Sequence, residues 1–374
     1  MLPFTDIDFF LFAAIYVALI WCLKLLGLNK HYSILTFIIT LFYIVFYFKF
    51  TIVTLLYFAV TFIYIQFLSS KVNHKLISAL ILALPMILVK VHFNPSLFYF
   101  AGLSFVTFRA IQTCIDYKKE VPLNFIHYFN FLYFIPSLYI GPLDRYKRFT
   151  ENSEQGFESI NNENITHGLQ ELLKGILYKF ILAEFISRYW LNHDSFDTLS
   201  KLQVVNDIYA YPLYLFFDFA GYSSMAVGMA YLIGIKIPFN FNKPFIAINP
   251  PDFWQRWHAS LTNWLTDYYF KPLYQWLSQR KKLKKYPLTK QNIAIFLTLF
   301  MMGAWNGFEP NFIWSGIVYG IYSVIHNTYA IECRKKDKDI IFGSLNPLIV
   351  KYISIFIMFN LVCLALYIFS GRSF

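Results

Sequence analysis

Charge is what this sequence has least of. Only 14% of its 374 residues are Asp, Glu, Lys or Arg, against about 25% in soluble domains. That is too few to cover a water-facing surface of this size. The four cysteines, Cys22, Cys114, Cys333 and Cys363, contain no pair at metal-ligand spacing. Three sit in apolar runs and Cys333 lies beside Arg334-Lys335-Lys336, so neither a disulfide framework nor a metal site is indicated. Low-complexity linkers, internal repeats and the inverted broken helices of many transporters are also missing. A cleavable leader is not expected, because Asp6 and Asp8 precede the first apolar run where a signal peptide carries positive charge.

What is present is apolar and aromatic. Hydrophobic residues make up 57% of the chain and aromatic ones 21%, with 43 Phe and 28 Tyr. Apolar runs of spanning or near-spanning length fall at 9–23, 32–48, 51–69, 76–92, 96–115, 172–190, 208–235, 292–305, 311–331 and 346–369. Each crossing needs about 20 apolar residues, so about ten crossings and short loops fill the chain. The reading is an all-α integral membrane protein, one polytopic domain over 1–374, with 9–115 as N-terminal spans and 116–374 as the functional core. Two more stretches, 124–140 and 253–277, are apolar but interrupted by Pro, Arg, His and Asp. Irregular backbone persists at membrane depth only where protein encloses it or it lines a wet cavity, so both are expected to be re-entrant. The polar stretch 150–165 reads as an exposed loop feeding a helix.

The net charge of +11 sits in clusters between apolar runs, the pattern of cytoplasmic loops. It points to anionic lipid rather than nucleic acid. Lys24 and Lys30 after the first run, with Asp6 and Asp8 before it, place the N-terminus outside. The block Arg280-Lys281-Lys282-Leu283-Lys284-Lys285 is expected to be cytoplasmic, as a lipid anchor or as a dock for an acidic protein.

The segment Pro251-Asp252-Phe253-Trp254-Gln255-Arg256-Trp257-His258-Ala259-Ser260-Leu261 is the richest in chemistry. Asp252 is placed to cap a helix from Phe253. On a continuous helix Trp254, His258, Leu261 and Leu265 share one face, and Asp252, Arg256, Asn263 and Asp267 another. A lone histidine on an apolar face is more often a satisfied core residue. An ionisable group inside a membrane bundle is costly and tends to be kept for function, and imidazole titrates in the range of a general base.

This segment resembles the W-x-R-W-H-x-S-L signature of the membrane-bound O-acyltransferase family. Gly102-Leu103-Ser104-Phe105-Val106-Thr107-Phe108-Arg109, Gly141-Pro142-Leu143-Asp144-Arg145-Tyr146-Lys147-Arg148-Phe149, and Phe217-Asp218-Phe219-Ala220-Gly221-Tyr222-Ser223 resemble further family elements in the family's order. Asp144-Arg145-Tyr146 is similar to the D-alanine-transferring (DltB) branch. The resemblance runs from about residue 96 to the end.

It implies a ring of about ten or eleven transmembrane helices with re-entrant segments around a central funnel, in a bacterial cell membrane. It also implies an acidic acyl carrier protein on the cytoplasmic side, presenting D-alanine as a phosphopantetheine-linked thioester. The acyl group would pass to an extracytoplasmic hydroxyl acceptor on the way to lipoteichoic acid, with no metal and no bound cofactor. O-acetylation of an exported polysaccharide or peptidoglycan is the alternative cargo, and a non-catalytic scaffold or channel the alternative class.

For site residues the resemblance implies His258 and position 306 for catalysis, with Arg256, Trp257, Trp305, Asp218, Asp144 and Arg145 on the substrate path. Read from the residues alone, Asp144 and Arg145 are first a structural pair with each other, and Asp218 is equally a buried hydrogen-bonding group. Carrier contacts are expected at Tyr268, Lys271, Leu273 and Tyr274. His127, His167 and His193 are assigned no function.

One departure bears on activity. Family members carry a second histidine in G-x-W-H-G, where this chain has Gly303-Ala304-Trp305-Asn306-Gly307. Asparagine donates and accepts hydrogen bonds but takes no proton near neutral pH. Three readings follow: transfer is lost or reduced; His258 is the base and Asn306 orients a reactant; or His326 is recruited.

Overall fold

The computed structural model describes residues 3–28, 31–48, 51–69, 75–92, 100, 102–192, 194 and 196–372. Lys30, His193 and positions 96–99 and 101 of the fifth apolar run lie outside these. Among the described residues every regular element is helical. In chain order they are α1 (Ile7–Leu25), α2 (Tyr32–Tyr47), α3 (Thr51–Ile63), α4 (Lys75–Lys90), α5 (Leu103–Asp116), α6 (Phe125–Leu132), α7 (Tyr146–Gln155) and α8 (Asn162–Ile176). Then come α9 (Glu184–Tyr189), α10 (Lys201–Leu232), α11 (Pro250–Arg256), α12 (Ala259–Leu265), α13 (Lys271–Ser278), α14 (Pro287–Ala304), α15 (Pro310–Lys336) and α16 (Pro347–Phe369). Three π-helical turns, Tyr64–Leu68, Leu177–Ala183 and Thr266–Phe270, prolong or join them.

Three helices among the described residues are long and apolar enough to cross a membrane: Ile7–Leu25, Thr51–Leu68 and Pro347–Phe369. In α1 the residues Phe9, Phe12, Tyr16 and Ile20 are buried while Leu11, Ile15 and Leu19 face outward. A helix apolar on every side is built for lipid on one face and protein on the other. The remaining apolar runs fall short for physical reasons. α2 is 16 residues long, α10 holds Asp207, Pro212 and Asp218, and α14 carries Lys290, Gln291 and Asn292.

The chain divides into two compact units, Met1–Tyr178 with Ala220–Phe239, and Lys179–Phe219 with Asn240–Phe374. The first is stitched by tyrosine hydroxyls. Tyr57 bonds Thr107 at 3.1 Å, Tyr64 bonds Ser78 at 2.9 Å, and Tyr128 bonds Thr61 at 3.0 Å. Such bonds replace the hydrophobic drive that is missing between helices in lipid. Arg109, 1% exposed, donates to the Leu132 and Ser137 carbonyls at 3.0 and 2.8 Å and to the Ser137 hydroxyl at 2.6 Å. Gly102 is left-handed at φ 82°, and a Cβ there would lie 2.6 Å from the Leu138 carbonyl oxygen. Only glycine fits that turn.

The second unit packs α11, α14, α15 and α16 around Phe253, Trp254, Trp257, Leu299, Tyr319, Tyr322, Met358 and Val362. α14 and α15 touch backbone to backbone: a Cβ on Gly303 would sit 2.4 Å from the Phe312 carbonyl oxygen and 2.9 Å from the Gly316 Cα. Asp207, fully buried, holds Asn192 at 2.7 Å and Arg372 at 3.6 Å. The loop after α15 is closed by Asp339, which accepts from the Tyr329 hydroxyl at 2.5 Å and the Phe342 N–H at 2.7 Å. Those donors, Tyr329 first, hold its carboxyl below the usual range.

Candidate functional site

The stretch 252–267 departs from the continuous helix that the apolar pattern predicts. Asn249, not Asp252, is the cap: its side chain accepts from the Asp252 N–H at 2.8 Å, and Pro250 and Pro251 occupy the first turn, where their missing N–H costs nothing. α11 then stops at Arg256. His258 sits alone in the left-handed region at φ 48°, ψ 45°, before α12 begins at Ala259. The two proposed helix faces are therefore split, with Trp254 on one helix and Leu261 and Leu265 on the next.

The break is over-determined by tertiary bonds. Asn242 N–H donates to the Arg256 carbonyl at 2.9 Å, and Ala259 N–H donates to the Asn240 carbonyl at 2.9 Å. Arg256 pairs with Asp252 at 2.6 Å and reaches the Asn242 carbonyl at 3.3 Å, and Asp252 also accepts from the Ile248 N–H at 3.0 Å. Arg256 and Asp252 thus clasp the loop. A non-glycine residue forced to positive φ marks strain of the kind that gathers at functional positions.

His258 is 5% exposed. Its Nδ1 lies 3.2 Å from the Asn240 side-chain oxygen, which also accepts from the Ser260 hydroxyl at 2.5 Å. An amide oxygen only accepts, so Nδ1 carries the proton and the lone pair rests on Nε2. The Phe219 ring stands edge-to-face against the imidazole at 4.7 Å. Trp257 faces away into an aromatic cluster with Phe216, Phe241, Phe245 and Phe253. Asn240 was missed by sequence reasoning. The one signal for it is the alternation Phe239-Asn240-Phe241-Asn242 ahead of Lys243-Pro244.

Beside this break lies a cavity of about 210 Å³, walled by residues of α11, α12, α14 and α15 and by the π turn Thr266–Phe270. Thr262, one turn past His258, and Met302, one turn before Asn306, both line it. Thr262 N–H donates to the His258 carbonyl at 3.1 Å, and the Asn306 side chain donates to the Met302 carbonyl at 3.1 Å. Neither His258 nor Asn306 is itself among the residues that line the cavity; each is hydrogen-bonded to one that is. Trp305 caps α14, its N–H donating to the Met301 carbonyl at 2.9 Å.

Other predicted residues lie elsewhere. Asp218 is ion-paired with Lys179. Asp144 and Arg145 belong to the first unit. The Asp144 carboxylate takes the Arg148 guanidinium as its ion partner rather than that of Arg145, with Nε at 2.6 Å. Arg145 gives it a backbone N–H at 2.7 Å and sends its guanidinium to Gln112 at 3.1 Å. Tyr268 packs on Trp264 at 5.3 Å, Lys271 pairs with Asp267 at 2.8 Å, and Leu273 and Tyr274 are half-buried on α13. Among the described residues no group of His, Cys, Asp and Glu could hold a metal.

Residues 24–369 match the model of the membrane-bound O-acyltransferase family. The chain belongs to that family. As an O-acyltransferase of the membrane it has an expected chemistry, attack of a hydroxyl on an activated acyl group, and a base with a fixed tautomer suits that step. Its relatives include a teichoic acid D-alanyltransferase of Streptococcus thermophilus, 37% identical over 78% of this chain and 74% of the relative. The enzyme of the same name in Bacillus subtilis is 35% identical over 75% and 70%. A peptidoglycan O-acetyltransferase of Helicobacter pylori is 30% identical, over 67% of this chain but 45% of its own length.

Proposed function

We propose that this O-acyltransferase moves D-alanine from a carrier-protein thioester to a hydroxyl of a teichoic acid at the outer face of a bacterial cell membrane, with His258 as the base. The likeness to two D-alanyltransferases over most of both chains supports the cargo. The observation that carries the chemistry is the Asn240–His258 pair at the break between α11 and α12, which puts the basic nitrogen of the imidazole at Nε2. The donor arm, a phosphopantetheine thioester, is substrate brought by an acidic carrier, and the basic block after α13 suits its approach. The ring of ten or eleven helices around a funnel belongs to the same reading.

In this mechanism the acceptor hydroxyl attacks the thioester carbonyl as Nε2 of His258 takes its proton. The tetrahedral oxyanion collapses, the new C–O ester bond stays and the C–S bond breaks. The departing thiolate recovers the proton from the imidazolium. The Trp305 indole at the end of α14, and Asn306 once an N–H turns from the Met302 carbonyl, are the donors for the oxyanion, worth most where water is excluded. Arg256 and Asp252 hold the loop that bears His258.

Transfer of labelled D-alanine from a loaded carrier to membrane acceptors in vesicles tests the proposal. Acid-stable label on the acceptor, absent when acetyl replaces D-alanine, is the expected result. Faster transfer of acetyl would favour the O-acetylation cargo. No transfer by either this chain or its Asn306→His variant would favour a scaffold.

A further inference from the structure

The hairpin of α14 and α15 is poor in acid. Between Asp267 and Glu332 the chain holds one carboxylate, Glu309, and it falls in the turn that carries Trp305 and Asn306. That turn is firmly held. Asn306 N–H donates to the Gly303 carbonyl at 3.0 Å, and Phe312 N–H donates to the Glu309 carbonyl at 3.1 Å. Glu309 is the cap residue of α15, with Pro310 after it, yet its side chain makes no capping bond. An acidic cap ordinarily accepts from the N–H groups of the first turn. This carboxylate folds back over Gly307 instead: a Cβ on that glycine would collide with Glu309 Oε2 and lie 3.0 Å from its carboxyl carbon. Glu309 is exposed, so a ligand can reach it.

The chemistry of the acyl group says what fits there. Trp305 and Asn306 are the oxyanion donors of the mechanism above, so the reacting carbonyl comes to this turn. In a D-alanyl thioester the ammonium stands about 2.5 Å from the carbonyl carbon. A charge-assisted hydrogen bond adds about 2.8 Å. A carboxylate that binds this ammonium must therefore lie about 5 Å from the acyl carbon, which is the neighbourhood of Gly307, the residue after Asn306. We propose that Glu309 holds the α-ammonium of the D-alanyl group and thereby selects this acyl group over acetyl.

The inference rests on the cargo reading above and names the residue that reads the cargo. Selection works in two directions. The ammonium of D-alanine gains an anion. Acetyl brings no cation, so the carboxylate is left facing the developing oxyanion, and like charges oppose each other. Attraction to one ligand joined to a penalty on its rival is how a site becomes specific. Gly307 has a share in this, since any side chain there would push the carboxylate off the turn. The α14–α15 contact through Gly303 and Gly316 keeps the turn in place, so the acid is positioned before the donor arrives.

Two donor mimics that cannot react test this without turnover: the D-alanyl and propionyl amides of a pantetheine whose sulfur is replaced by nitrogen. They have nearly the same shape and differ in the ammonium. Bound to the full chain in nanodiscs, the D-alanyl amide is expected to be preferred by about tenfold, the value of a charge-assisted bond. Glu309→Gln should erase the preference by weakening the D-alanyl amide alone, with propionyl affinity reporting correct folding. Glu309→Asp should keep part of the preference. Gly307→Ala, with the acid intact but displaced, should lose most of it. Equal affinity in the unaltered protein, or binding of neither amide, overturns the proposal. So does a preference that survives Glu309→Gln, and equal weakening of both amides by that change would make Glu309 a structural residue of the turn. If the preference is present and Glu309→Gln removes it, but no D-alanine is transferred in vesicles, the ammonium site stands and the transfer reading fails.

Discussion

Two buried polar clusters carry charge into apolar surroundings in this chain, and they are built on opposite plans. Around Arg109 in the first unit the charged groups are paired, although Asp144 Oδ2 and the Tyr222 hydroxyl stay without a hydrogen-bond partner. The guanidinium has three acceptors, Gln112 donates to the Asp144 carbonyl at 2.6 Å, and Asp144 is held by Arg148. Around the cavity of the second unit, Trp254, Thr262 and Ser323 each leave their only polar side-chain atom without a partner. A network of paired charges fixes a structure. Unpartnered buried groups instead carry a desolvation cost that the surrounding packing must offset.

That contrast predicts where damage falls on folding and where it falls on chemistry. The largest effect is expected from Arg109→Met. It strands three buried acceptors and leaves Asp144 with less positive charge nearby, costing about 3–5 kcal/mol as when a buried pair is broken. The yield of folded protein and its melting temperature in detergent should both drop sharply. An unchanged melt would show that the first cluster is no scaffold.

Asn240→Ala should act in the opposite manner. Losing the group that fixes the His258 tautomer should lower transfer by about tenfold or more, as for other groups that orient an imidazole. Ser260 and His258 lose a shared acceptor, so stability should drop by about 1 kcal/mol. The readout that separates positioning from structure is the pH–rate profile, which should shift as Nδ1 loses its acceptor. A lower melt with an unshifted profile would make Asn240 structural.

Gly303→Ala probes the close approach of α14 and α15 that sets Asn306. Its Cβ would press the Phe312 carbonyl and cost about 1–3 kcal/mol, as overpacking does. It should also reduce transfer by moving the end of α14. The smallest effect is expected from Lys271→Ala. Its bond to Asp267 joins side chains 60% and 39% exposed, so stability should change by under about 0.5 kcal/mol. Any loss of transfer with a carrier-bound donor, but not with free donor, would mark a carrier contact.

The two clusters also differ in how legible they were. Several helix positions read well: the runs 9–23, 32–48 and 346–369 became Ile7–Leu25, Tyr32–Tyr47 and Pro347–Phe369, since burial and lipid exposure both leave a hydropathy trace. The break at His258 did not read, because Trp254 through Leu265 keeps a helical apolar pattern. What interrupts it is a set of bonds to 240–242, distant in sequence. Asn240 carries no charge and no motif, so only coordinates expose it.

The central claim is that Nε2 of His258 removes the acceptor proton, and the single-turnover transfer rate of His258→Gln tests it most directly. Glutamine keeps an amide for Asn240 but has no basic nitrogen. A fall of about 100-fold or more, the usual share of a general base, with the melt retained, is the predicted result. A rate equal to that of the unaltered protein would contradict the account and move the proton to another group.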